Sequence, residues 1–119
     1  MKIAISAVTH GLDSDVDARF GRARVFVIYE TDSGEYTPLE NTVQMNAVQG
    51  AGIQTAQNLA NAGVSAVLTG HCGPKAYKTL AAAGIDIYAD VMGTVADAIK
   101  AYISGNLNKA SGPDVEGHW

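Results

Sequence analysis

The sequence predicts an α/β domain: a mixed five-stranded sheet of order 3-2-1-4-5, with strand two as its antiparallel member and helices on both faces. Three observations lead there. The hydrophobic patterns run β-β-β-α-β-α-β-α, with hairpin-like joins first and helical crossovers later. Two stretches, LANAGVSAVLTG and LAAAGIDIYADV, each read as helix end, glycine C-cap and β-rich segment, with Gly63 and Gly84 21 residues apart, which implies parallel strands. Right-handed crossovers and connections that do not cross then favour this strand order.

The elements follow in order. Lys2 to Val8 (KIAISAV) alternates and is rich in Ile, Ala and Val, as a first strand does. Val25 to Tyr29 (VFVIY) is a continuous apolar run, the pattern of a strand covered on both faces. Thr31 to Glu35 carries turn chemistry around Gly34, and Tyr36 to Asn41 is a short strand that Pro38 assigns to a sheet edge. A helix opens at Gly50, with Ile53, Ala56, Leu59 and Ala60 on one face and Gln54, Gln57, Asn58 and Asn61 on the other; Gly63 ends it. Pro74 suits the first position of the next helix, whose apolar stripe is Ala76, Tyr77, Leu80 and Ala81. Thr94 and Asp97 form a capping-box-like start for the last helix, with Val95, Ile99, Tyr102 and Ile103 as its apolar positions and Gly105 as its stop. Residues 1–105 thus make one domain, and 106–119, with Gly112, Pro113 and Gly117 and no period, is expected as a tail, either disordered or a flap.

A chain of 119 residues that is 47% hydrophobic can bury one core unaided. Eight Lys and Arg against twelve Asp and Glu give a net charge of -4, so no global positive field attracts nucleic acid or anionic lipid. Met1 leads straight into strand sequence without a basic, apolar leader, and no run approaches the ~20 apolar residues of a membrane span. The expectation is a cytoplasmic protein, monomeric or weakly dimeric. The single cysteine, Cys72, excludes an internal disulfide and any four-thiolate zinc or iron-sulfur site built within one chain.

The predicted topology delivers His10 to Arg24, Asn41 to Gly50, Gly70 to Lys75 and Asp90 to Gly93 to one edge of the sheet. The switch point between strands one and four lies on that edge, where open α/β sheets usually bind ligands. Thr69 to Lys75 (TGHCGPK) joins a buried strand to a helix and has the makings of an anion site: free first-turn amides, the positive end of the helix dipole, glycines at 70 and 73 that allow close backbone approach, and the Lys75 ammonium. The same residues also read as a tight strand-to-helix turn, with Cys72 a small buried apolar residue and His71 at the surface. Arg19, Arg22 and Arg24 concentrate guanidiniums near that edge, or else form a solvated run paired with Asp13, Asp15 and Asp17. The amide-rich stretch 41–52 ends in Gly50-Ala51-Gly52, a second candidate anion nest, while Met45 reads equally as core filler. It is neither a Rossmann fingerprint nor a P-loop. Cys72 beside a cation and a helix start is a candidate nucleophile, but the adjacent His71 points elsewhere in most backbone geometries, which argues against a Cys-His pair. Two-metal nuclease chemistry needs clustered carboxylates, commonly beginning on the first strand, and Lys2 to Val8 has none.

The residues carrying these loops match a family pattern: KIAIS at the start, Phe20-Gly21-Arg22-Ala23, Asn41, Gly50-Ala51-Gly52-Ile53-Gln54, Thr69 to Ala76, Ala83-Gly84-Ile85 and the tail Val115 to Trp119. On them the chain resembles the dinitrogenase iron-molybdenum cofactor biosynthesis family, in its small, single-domain, orange-protein-like form. The resemblance implies a ribonuclease H-like sheet and the binding, storage or transfer of a molybdenum-containing sulfide cluster, of Mo-Cu or Fe-Mo type, or its thiomolybdate precursor, with no turnover of a substrate. Partners would be the cluster and a protein that donates or accepts it. By position, Arg22, Asn46, Gln49, Gly50, Ala51, His71, Cys72, Gly73, Pro74 and Lys75 would line the site, with Cys72 and His71 as candidate metal ligands. Thiometallates are bulky polyanions that amides and guanidiniums can hold largely without protein thiolates, so one cysteine is tolerable. An oxyanion-binding regulatory module and a Cys72-dependent enzyme are the alternatives.

Overall fold

The computed structural model describes residues 1–41, 51–110 and 112. Eight elements follow one another: β1 (Lys2–Ala7), β2 (Val25–Glu30), β3 (Tyr36–Glu40), α1 (Ala51–Asn61), β4 (Ala66–Leu68), α2 (Pro74–Ala82), β5 (Asp86–Tyr88) and α3 (Val95–Ile103). The strands form one five-stranded sheet of order β3-β2-β1-β4-β5, as the crossover rules require. β2 runs antiparallel to both β1 and β3, whereas β1 pairs parallel with β4 and β4 with β5. β1 is therefore central, with Ile5 opposite Val27 on one side and Leu68 on the other.

Strand alternation divides the apolar residues between two faces. Ala4, Phe26, Val67 and Ile87 face one layer with Ala56 and Leu59 of α1 and Ala76 and Leu80 of α2. Ile3, Ile5, Val25, Val27 and Leu68 face the other with Val95, Ala98 and Ile99 of α3. The two helix-to-strand units that resemble each other in sequence close in the same way. Gly63 and Gly84 adopt φ of 81° and 76°, which an L side chain resists. Their N–H groups donate to Ala60 and Ala81, and the next residues, Val64 and Ile85, donate to Leu59 and Leu80, the paired bonds of a Schellman cap.

Three helical faces differ from the periodicity reading. In α1, Thr55 is buried and Ile53 only half-buried, because Thr55 has a buried hydrogen-bond partner. In α2, Ala81 is exposed. In α3, Ala98 is buried and Ile103 is 60% exposed. Tyr102, its hydroxyl 3.9 Å from the Met1 Sδ, takes the packing position instead, with its ring edge to face on Tyr88. Residues 106–110, expected as the start of a tail, lie along β5: Ala110 N–H donates to the Ile87 carbonyl at 2.7 Å, and Lys109 Nζ donates to Asp86 Oδ1 at 3.3 Å. Among the described residues, no helix is long and apolar enough to cross a membrane.

The capping box of α3 is complete: Asp97 N–H donates to Thr94 Oγ1 at 3.1 Å, and Thr94 N–H donates to Asp97 Oδ2 at 3.2 Å. The Thr94 backbone N–H, then its hydroxyl, hold the Asp97 carboxyl below its ordinary range. A depressed folded-state pKa makes this contribution full above the unfolded carboxyl pKa of about 3.9 and removes it as pH falls through the folded value. Asp97→Asn should flatten that acid limb of the stability-pH curve, and Thr94→Ala should cost about 1 kcal/mol in urea unfolding at neutral pH.

Candidate functional site

The carboxyl edge of the sheet is closed by the chain itself. Asp17 N–H donates to the Ser6 carbonyl at 2.9 Å, at the end of β1, and the segment then reaches the exit of β4, where His71 N–H donates to Ala18 at 2.7 Å and Phe20 N–H donates to His71 at 3.1 Å. Beneath it, Ser6 Oγ lies 2.7 Å from the Asp17 carbonyl oxygen and 2.8 Å from Thr69 Oγ1, with both hydroxyl residues fully buried. The switch point between β1 and β4, the expected ligand crevice, is thus spanned by residues 15–20. Gly70 belongs to this closure. A Cβ there would sit 2.6 Å from Ala18 Cα, so the close approach that glycine permits is to protein backbone.

The segment emerges on the α1 and α2 side as the turn 20–24. Phe20, Ala23 and Cys72 share one buried cluster with Ala56 and Ala76, and the rings of Phe20 and Phe26 meet edge to face at 5.3 Å. Asn41 fixes the turn from its other side: its Nδ2 donates to the Gly21 and Ala23 carbonyls at 3.3 and 2.7 Å, and its Oδ1 accepts from Thr55 Oγ1 at 3.0 Å. One buried amide therefore joins the end of β3, the Arg22 turn and α1. Periodicity could not reveal this network, because it assigns Thr55 to neither face; an asparagine at the end of the edge strand was the visible signal.

The turn and the His71–Lys75 loop thus lie side by side, and Ala51, the first residue of α1, is buried. Arg22 and His71 are half-buried, Pro74 and Lys75 exposed, and Gly73 is the buried N-cap of α2 with no side-chain cap bond. Cys72 is 2% exposed, with Sγ 3.8 Å from the Gly73 carbonyl oxygen. This matches the small-apolar reading of Cys72, and a thiol placed so cannot act as a nucleophile without movement of its loop. Among the described residues, no group of three or more His, Cys, Asp or Glu side chains is arranged to hold a metal ion. Asn46, Gln49 and Gly50, with Met45, lie outside the described residues, as do Val115 to Trp119.

The model for the family described as dinitrogenase iron-molybdenum cofactor matches residues 1–105. The chain belongs to this family. An uncharacterised protein of Methanocaldococcus jannaschii is 32% identical over 113 residues, 92% of this chain and 95% of that one. The apo orange protein of Desulfovibrio gigas superposes with a TM-score of 0.94 at 39% identity, covering 96% of each chain. A Thermotoga protein provisionally described as NifB superposes with a TM-score of 0.85 at 37% identity, covering 98% of each. This member of the dinitrogenase iron-molybdenum cofactor family thus shares its fold with those two solved structures over nearly its whole length, and the family and the orange-protein likeness point to a role in binding or carrying a metallocluster.

Two substitutions test the frame of the site. Gly70→Ala should destabilise the protein by about 1–3 kcal/mol through overpacking against Ala18, read from the urea midpoint. Asn41→Ala should cost about 2–3 kcal/mol, since it strands buried polar partners, and Asn41→Asp should cost more, because a carboxylate cannot donate to the two carbonyls.

Proposed function

We propose that this protein binds and carries a molybdenum-containing sulfide cluster, of Mo-Cu or Fe-Mo type, or its thiomolybdate precursor, as cargo and without turnover of a substrate. The observation that carries the reading is the meeting of the Arg22 turn with the His71–Lys75 loop at the N-terminus of α2, in a chain of the iron-molybdenum cofactor family. A polyanion there would meet the Arg22 guanidinium, the Lys75 ammonium and the positive end of the helix dipole. Asn46, Gln49, Gly50 and Ala51 complete the proposed lining, with His71, Cys72, Gly73 and Pro74 in the wall. Sulfides brought by the cluster supply most of its coordination, so the protein is a receptor more than a ligand set. A cytoplasmic donor or acceptor protein would load or receive it.

Anaerobic isolation from the native host, with metal analysis and visible spectroscopy, tests the reading. Stoichiometric molybdenum with charge-transfer bands is the expected result, and a colourless protein that takes up neither thiomolybdate nor an isolated cofactor overturns it. Cys72→Ala should retain measurable uptake, while Arg22→Ala with Lys75→Ala should weaken it by roughly tenfold or more, as the loss of charge-assisted contacts predicts. Raised salt should reproduce part of that loss. Uptake abolished by Cys72→Ala alone, with the double cation variant binding normally, would replace the receptor by a cysteine-anchored site.

A further inference from the structure

The carboxyl edge is electrostatically divided. The sequence has no acidic residue between Glu40 and Asp86, a stretch that contains α1, α2, Lys75 and Lys78. On the α3 side the order reverses: residues 8–16 and 89–97 include Asp13, Asp15, Asp90 and Asp97 and no Lys or Arg. Backbone bonds join these two segments into one surface, with Val16 N–H donating to Gly93 at 2.9 Å, Val95 N–H to Ser14 at 2.8 Å and Ala96 N–H to Leu12 at 2.9 Å, while Val8 N–H donates to Asp15 at 3.2 Å within the first segment.

That surface also exposes apolar side chains. Met92 is 81% exposed and Val8 45% exposed. The Met92 turn is pinned where it is. Asp90 N–H donates to Gly70 at 2.8 Å and Val91 N–H to Thr69 at 3.1 Å, while Val91 itself is 4% exposed beneath it. A long, unbranched thioether presented on a fixed turn that also carries Asp90, beside a segment that carries Asp13 and Asp15, is suited to an apolar socket with a basic rim. The Asp90 to Gly70 bond places it next to the loop that leads into His71, so a protein seated on Met92 would stand beside the proposed cargo site.

We infer that the Val8–Met92 surface docks a protein partner that offers a lysine- or arginine-rimmed apolar pocket, and that the acidic and basic halves of the edge set the partner's orientation. The partner's identity as cluster donor or acceptor rests on the carrier reading above; the docking surface does not. Titration of the isotope-labelled full chain, free of cluster, with an amphipathic lysine-leucine peptide and its glutamate-leucine counterpart tests it by NMR. Shifts should concentrate at Val8, Gly11 to Val16 and Met92 to Asp97, for the lysine peptide only. Met92→Ala should weaken binding about tenfold, as should Asp13→Asn with Asp15→Asn, while Asp32→Asn with Glu35→Asn leaves it unchanged. Equal binding of the glutamate peptide, shifts spread over all acidic residues, or full affinity in Met92→Ala would overturn it. Because the titration needs no metal, docking can fail with thiomolybdate uptake intact, or survive its loss.

Discussion

Gly70 has no side chain, and the space one would fill is taken by the backbone of Ala18. On that contact depends the crossing of residues 15–20 over the ends of β1 and β4, with the hydrogen bonds of Ala18 and Phe20 to His71 on either side of it. The crossing in turn delivers Phe20 into the core beside Cys72 and sets the Arg22 turn next to the start of α2. The fold thus moves its candidate site away from the crevice that open α/β sheets commonly use. It lies instead on the helical face that carries α1 and α2.

The closed crevice separates two kinds of demand. Ser6 and Thr69, which could have faced a ligand at the switch point, satisfy each other and the Asp17 carbonyl, and so stiffen the central strands. On the proposed reading, recognition falls to backbone turns anchored from below, the one by Asn41 and the other by β4. Receptors for large anions gain from such an arrangement, since donors fixed in advance lose little entropy when the guest arrives.

Much of this was legible in the residues. The VFVIY run, the repeated glycine C-caps and Pro38 specify the strand order and the edge strand because each acts locally, through the period of two, the left-handed conformation or a missing N–H. The Thr94–Asp97 box was readable for the same reason. What escaped was set by long-range contacts. Thr55 is buried because Asn41, 14 positions away, gives its hydroxyl a partner, and Ile103 is exposed while Tyr102 packs on Tyr88 of the edge strand. Nor could spacing show that Gly70 serves Ala18 instead of a ligand, since a glycine reports only that something comes close.

Both borders of the sheet deserve comparison with the hazards of a free strand. At one border β3 is short, exposed and interrupted by Pro38, which pairs with Val27 on its inner side and offers no N–H to a newcomer. At the other, residues 106–110 lie against β5, and Lys109 holds a charge there. A foreign chain seeking to extend the sheet would find an incomplete ladder at the first and an occupied one at the second. A protein that exposes apolar and charged side chains at its carboxyl edge is by this means guarded against self-templated aggregation along its flanks.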